Sequence, residues 1–244
     1  MILILLLLTA LLLSLIFGAK IRRKQVIARW RRALALDKHE AVFQKLYANV
    51  NCFMISKEAR KEQDAFEYVY GEIEFTSFIA LLGLCHPDSS TVFYDLGSGT
   101  GKAVLACAMV FSVKKSCGIE FFAPLHQAAE AQQQQLKKIT DYTLKSNSIK
   151  FYQGNFLSKN FNEASLIFIN ATAFFGETWS ALCERLEQTN AKTVIITTSK
   201  ALPASGFQLL KVTKVRMSWG FVDAFIHQNL QKKINKAKIK PTVI

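Results

Sequence analysis

Asp95-Leu96-Gly97-Ser98-Gly99-Thr100-Gly101 follows directly on the apolar run Thr91-Val92-Phe93-Tyr94. An acid at a strand end, followed by three glycines and a helix-forming segment, lets a nucleotide-like ligand lie against bare backbone, because glycine has no Cβ in the way. The spacing is G-x-G-x-G with Lys102 next. Dinucleotide sites place the third glycine one residue later and hold a pyrophosphate on backbone amides, so this turn fits S-adenosylmethionine better. Asp95 stands where a carboxylate reaches a methionyl ammonium, while the turn through Gly97, Ser98, Gly99, Thr100 and Gly101 passes close to the ribose. The alternative is a tight strand-to-helix connection that binds nothing.

Two later positions extend the site. Glu120 closes a second apolar segment, and a carboxylate there can accept both ribose hydroxyls, with Gly118 allowing close approach. In Gly154-Asn155-Phe156 the Asn155 amide can pair with the adenine edge and the Phe156 ring can stack on it. An ordinary surface glutamate, and a turn before a core phenylalanine, are the competing readings.

The elements that must position these groups alternate. Strands are expected at Thr91–Tyr94, Lys115–Glu120, Ile149–Gln153, Ser165–Asn170, Thr193–Thr198, Phe207–Met217 and Val222–Gln228. Helices are expected at Lys102–Phe111, Ala123–Asn147 and Glu177–Gln188. This pattern predicts an α/β, Rossmann-like, mostly parallel doubly wound sheet with an antiparallel last strand, whose ligand lies beyond the carboxyl ends of the strands.

Charge sits at the two ends of the chain. Seven basic residues and no acid lie between Lys20 and Arg32, and the last seventeen residues hold five lysines, Lys232, Lys233, Lys236, Lys238 and Lys240, and no acid. Without those twelve, 19 basic residues face 18 acidic ones, so the net charge of +13 describes the terminal tracts and not the body. Residues Met1 to Ala19 carry no charge; as a helix they would extend about 28 Å, close to a bilayer core. No basic residue precedes them, as a cleaved signal would require, and the Lys20–Arg32 cluster places the body in the cytosol with Met1 outside. The expectation is a single-pass membrane anchor at 1–19, a basic helical region at 20–64 against the lipid surface, a catalytic domain at 65–230 and a basic tail at 231–244. The five cysteines are scattered, with no C-x-x-C pair or histidine cluster, so no metal site is expected.

Tyr70-Gly71-Glu72, the glycine turn, Gly118-Ile119-Glu120, Gly154-Asn155-Phe156-Leu157-Ser158, Ile167-Phe168-Ile169-Asn170 with Phe174, and Ser218-Trp219 occur in one order. Together they resemble the non-SET lysine methyltransferases of the Dot-one (disruptor of telomeric silencing) type, a branch of the class I methyltransferases. The resemblance runs from about Phe66 to His227. It implies a loop, Tyr70 to Glu72, closing over the methionyl end, cofactor contacts at Glu72, Asp95, Gly97, Gly99, Glu120, Asn155 and Phe156, and a lysine channel at Asn170, Phe174 and Trp219. Such chemistry needs an uncharged amine aimed at a methyl carbon; positioning supplies up to about 7 to 11 kcal/mol in ideal intramolecular cases. An aromatic channel favours the neutral amine by making an ammonium costly to bury.

The sequence departs from the family in two places. Ala171 stands where the family has a second asparagine in the channel wall, and Ile73 replaces the threonine usual after Tyr-Gly-Glu. These changes leave open a small-molecule, lipid or RNA acceptor, and in another class a non-catalytic tethered binding protein on the same fold. The terminal lysines could contact nucleic-acid phosphate, though a solvated tail or lipid contact suits a tethered chain better.

Overall fold

The structure is a computed structural model that describes residues 2–61 and 70–230, with side chains from Leu15 onward. The chain divides into two compact units, Met1–Lys45 and Leu46–Ile244. The first holds α1 (Ile2–Ala33) and most of α2 (Leu36–Tyr47), with Ala35, at φ of +48°, turning the chain between them. Arg31 ties that corner through Asp37 and Glu40 at 2.5 and 2.7 Å. Among the described residues no helix is long and apolar enough to cross a membrane. The spanning segment expected over Met1–Ala19 is therefore not found there; the side chains of residues 1–14 lie outside the described residues. The basic tail at 231–244, with its five lysines, lies outside them as well.

The second unit is built on one seven-stranded sheet. Its strands are β1 (Val92–Leu96), β2 (Lys115–Glu120), β3 (Ile149–Gln153), β4 (Leu166–Ile169), β5 (Val194–Thr198), β6 (Phe207–Met217) and β7 (Gly220–Asn229). The order is β3-β2-β1-β4-β5-β7-β6. The first five run parallel, and β7 is antiparallel to both β5 and β6. The antiparallel strand thus lies inside the sheet and β6 forms the edge, because the short Ser218–Trp219 connection makes β6 and β7 a hairpin.

Helices cover both faces of the sheet: α3 (Cys52–Ala59), α4 (Phe75–Gly83), α5 (Lys102–Val110), α6 (Ala123–Lys137), α7 (Thr143–Ser146) and α8 (Gly176–Glu187). Beyond Lys102, every residue of α5 is buried, as expected for a helix packed against a central strand that is itself buried throughout. Phe78 on α4 meets Phe93 on β1 and Phe168 on β4 edge to face at 6.1 and 5.2 Å. Each such pair contributes about 0.5–1.5 kcal/mol beyond area burial.

Two sequence expectations need correction. The long helix expected over Ala123–Asn147 ends at Lys137, gives way to a 3-10 turn at Thr140–Tyr142, and resumes as α7. The Thr143 hydroxyl donates to the Lys137 carbonyl at 3.0 Å, and Tyr142 is drawn into the core, which a continuous helix would not allow. No element is expected over Phe75–Gly83, yet α4 forms there, with Phe75, Phe78, Ile79 and Leu82 at helical spacing and all buried.

Candidate active site

Asp95 and Glu120 lie at the carboxyl ends of neighbouring parallel strands, with Asp95 opposite Gly118 in the register. Gly97, Gly99 and Gly101 adopt φ of +85°, +54° and +81°, backbone that side chains rarely allow. A Cβ on Gly99 would lie 2.7 Å from the Tyr70 ring, and one on Gly101 2.6 Å from Phe151. At Gly97 the nearest atom is on Phe174 at 3.8 Å, so this is where backbone lies open to a ligand.

The amides of the turn are directed into the protein. Gly97 and Ser98 both donate to the Ile119 carbonyl at 2.9 and 3.0 Å, Gly101 donates to the Ser98 carbonyl at 2.8 Å, and Gly99 donates to Glu120 Oε2 at 2.8 Å. The turn is thus a shaped surface rather than an anion cradle, which is the physical difference from a pyrophosphate loop. Glu120 Oε1 also accepts from the Phe122 amide at 2.9 Å, so this carboxylate stitches the turn to the start of α6 while retaining lone pairs for other donors. Burial pushes its carboxyl up, opposed by the amides of Phe122, Gly99 and Phe121. Asp95 is 4% exposed, and no described residue donates to its carboxylate. Burial, and then the Glu120 charge, push it up to about 8. The Ser98 hydroxyl is likewise buried without a partner.

Opposite the turn, residues 70–74 form a strap. Tyr70 donates to Glu72 Oε1 at 2.8 Å and lies 3.1 Å from the Thr100 hydroxyl; Lys102 Nζ meets Glu72 Oε2 at 2.6 Å. The strap is fixed to the β6–β7 hairpin: Ser218 N donates to the Glu72 carbonyl at 2.8 Å, and Glu74 N to the Arg216 carbonyl at 2.9 Å. Gly71 is obligatory, since a Cβ there would lie 1.9 Å from the Trp219 ring. Asn170 completes the frame by donating to the Gly71 carbonyl at 3.2 Å while its own carbonyl accepts from Thr198 and Thr172 at 2.7 and 2.9 Å.

These groups enclose a cavity of about 460 Å³. Tyr70, Glu72, Asp95, Gly97, Ser98, Gly99, Glu120, Asn155, Phe156, Asn170, Phe174 and Trp219 are all among its lining residues. Thr100 and Gly101 stand apart from these. Thr100 is fully buried behind the turn, with its carbonyl accepting from Tyr47 at 2.9 Å, and Gly101 is packed under Phe151 and Ala129. Asn155 Oδ1 accepts from Leu157 N at 2.8 Å, which orients the side-chain amide with its N–H groups available to a ligand. Phe156 and Phe174 pack at 5.4 Å, forming an aromatic floor.

Ala171 is fully buried in the core and does not face the cavity; Thr172, Ala173 and Phe174 form the wall there. The departure from the family pattern therefore opens no wide mouth at that position. Sequence reasoning missed Ser56, Lys102, Phe122 and Phe168 as lining residues. Lys102 carried a signal, since it directly follows the glycine turn, and Phe168 stands in the Ile167-Phe168-Ile169-Asn170 motif; Ser56 carried none.

Residues 52–220 match the sequence pattern of the family described as "Histone methylation protein DOT1". Among curated relatives, an H3 lysine-79 specific histone-lysine N-methyltransferase of Kluyveromyces lactis is 30% identical over 86 residues, 35% of this chain and 15% of that protein. Its namesake in Caenorhabditis elegans is 33% identical over 111 residues, 43% of this chain and 12% of that protein. The one in Candida glabrata is 25% identical over 160 residues, 61% and 24%. This chain thus spans at most about a quarter of these relatives.

Of solved structures, an RNA methyltransferase of Salinibacter ruber in complex with S-adenosyl-L-homocysteine superposes with a TM-score of 0.51 at 16% identity, covering 67% of this chain and 96% of that one. A putative RNA methyltransferase of Pyrococcus horikoshii gives 0.50 at 12% identity, with 74% and 98% covered. At these identities the likeness is one of fold, the Rossmann-like methyltransferase sheet. The matched span, residues 52–220, includes the strap, the glycine turn and the strands β1 to β6 that frame the cavity, and the chain belongs to the DOT1 histone methylation protein family.

Proposed function

We propose that this chain transfers a methyl group from S-adenosylmethionine to a lysine side chain of a protein. The observation that carries the reading is Asp95: a buried carboxyl without a described donor, on the wall of a cavity whose other side is aromatic. Leaving such a group unpaired is costly, and a cationic ligand removes the cost.

The residues present fit an adenosyl cofactor with an amino-acid tail. Asp95 faces the ammonium, the open Cβ direction at Gly97 admits the ligand against the backbone, and the free lone pairs of Glu120 accept from ribose hydroxyls. The Asn155 N–H groups and the Phe156 ring hold the adenine, and the unpartnered Ser98 hydroxyl finds a partner in the ligand. The bound cofactor supplies a methyl group on a sulfonium, an electrophile that needs no metal. On the other side Phe174, Trp219 and Asn170 exclude water from the acceptor amine, so the form that reaches the methyl carbon is the uncharged one. Tyr70 closes the space between the two sides.

Incubation of the full chain with methyl-labelled cofactor and candidate proteins, followed by mass-spectrometric mapping, tests the reading. Label is expected on lysine Nε. Label only on RNA, lipid or a small amine contradicts the protein acceptor, and no cofactor-dependent label on any acceptor favours a binding protein on this fold.

The membrane tether is a further part of the proposal, supported by the sequence of Met1 to Arg32 alone: an uncharged segment followed by seven basic residues, with the catalytic body on the cytosolic side. Alkaline carbonate should leave the full chain in the membrane pellet and release a chain lacking residues 1–19. Release of both would remove the tether from the account.

A further inference from the structure

The chain leaving β5 grips the cavity wall that follows β4. Three consecutive side chains meet three alternate residues of that wall: Thr198 Oγ1 donates to Asn170 Oδ1 at 2.7 Å, Ser199 Oγ lies 2.8 Å from Thr172 Oγ1, and Lys200 Nζ donates to the Phe174 carbonyl. In an extended strand neighbouring side chains point to opposite faces, so three in a row could not serve one partner. Ser199 breaks that alternation with a φ of +67°, a conformation that is costly for a residue with a side chain and persists where its surroundings hold it. Here they do: the Ser199 amide donates to the Asp223 carbonyl on β7 at 2.8 Å, and the Thr197 hydroxyl donates to the Lys200 carbonyl at 2.5 Å.

We infer that Lys200 is a positioning residue for the acceptor: with Thr198 and Ser199 it clasps the Asn170–Phe174 wall and so sets where an acceptor amine sits. The inference rests on the methyl-transfer reading above. Lys200 is not among the residues lining the cavity, so it acts through Phe174. Its ammonium lies 3.2 Å from the centre of the Phe175 ring and 5.7 Å from that of Trp179, so one cation fixes the Phe174 backbone and the first turn of α8 together. Thr172 uses its proton on Asn170 Oδ1 at 2.9 Å, which makes Ser199 the donor to Thr172. Asn170 Oδ1 thereby takes two donors, and this orients its N–H groups toward the Gly71 carbonyl, carrying the clasp across to the strap.

The test reads the wall and the reaction separately, in the full chain. Lys200→Met should raise hydrogen–deuterium exchange over residues 171–176 at least about fivefold and leave residues 95–101 within about twofold of wild type. With the acceptor found by label mapping, its kcat should fall about tenfold while affinity for S-adenosyl-L-homocysteine stays within about twofold; Lys200→Arg, which keeps a cation and donors, should restore most of the rate. Ser199→Ala, which removes one hydroxyl contact, should lower kcat about threefold. Unchanged exchange over 171–176 in Lys200→Met overturns the inference, as does a loss of cofactor affinity equal to the loss of rate; in both cases the methyl-transfer reading stands. Wild-type protein that binds S-adenosyl-L-homocysteine but labels no lysine overturns that reading, and the role of Lys200 with it. Circular dichroism of each variant establishes that it is folded; if Lys200→Met is not, Lys200→Leu takes its place with the same expectations.

Discussion

The two sides of the cavity are built by different means. The side proposed to take the methyl donor is centred on one short stretch, Asp95 to Gly99, beside Glu120, and the four turn amides of Gly97, Ser98, Gly99 and Gly101 are bonded inward, so the shape of that stretch is set by local backbone. The other side is assembled from segments far apart in sequence, with Gly71 on the strap, Asn170 and Phe174 after β4, and Trp219 on the hairpin, joined by contacts such as Asn170 to the Gly71 carbonyl and Gly71 against the Trp219 ring. A side fixed by local backbone tolerates change elsewhere in the chain. A side assembled from distant segments is where acceptor preference can shift without loss of the cofactor.

That contrast is open to attack in order of effect. Asp95→Ala should weaken S-adenosyl-L-homocysteine about 100-fold, by removing a charge-assisted contact in a buried place, and abolish label transfer at micromolar cofactor; a change under about fivefold would break the assignment of the donor side. Gly71→Ala forces a Cβ into the Trp219 ring and should cost about 1–3 kcal/mol of stability. Its transfer rate should fall at least tenfold while cofactor affinity stays within about threefold, as read by denaturant unfolding, labelling and titration; equal loss of affinity and rate would merge the two sides. Trp219→Ala, half-exposed at the rim, should lower kcat/KM for the acceptor about tenfold and leave cofactor affinity unchanged. The last effect is on the pH dependence of stability. The Asp95 carboxyl sits at about 8 in the folded chain against about 3.9 unfolded. Its protonated form therefore stabilises the ligand-free fold below about pH 4, and that contribution is lost as pH rises through 8. Asp95→Asn should flatten the fall of Tm between pH 5 and 8, and an unchanged slope would sink this point.

The fold was legible because its signals are local. The acid-ended strand, the glycine turn and the alternation of short apolar runs with helices place Asp95, Glu120 and the strand bounds within about two residues. The roles inside the site were less so. Thr100 carries the same signal as its neighbours in the turn, yet it faces Tyr47 and Tyr70, because the positive φ at Gly99 and Gly101 rotates it away from the cavity. The weight of Ala171 could not be read from an aligned triplet: its burial follows from the 3-10 turn Ala171–Ala173, which passes the wall to Thr172 and Phe174.

The donor side is tested most directly by titrating S-adenosyl-L-homocysteine into the full chain at pH 7, in two buffers of different ionisation enthalpy. A ligand ammonium that pairs with Asp95 must ionise it, so binding should release about one proton in wild type and none in Asp95→Asn. Binding that releases no proton in wild type, or the same number in both, would contradict the placement of the cofactor against Asp95.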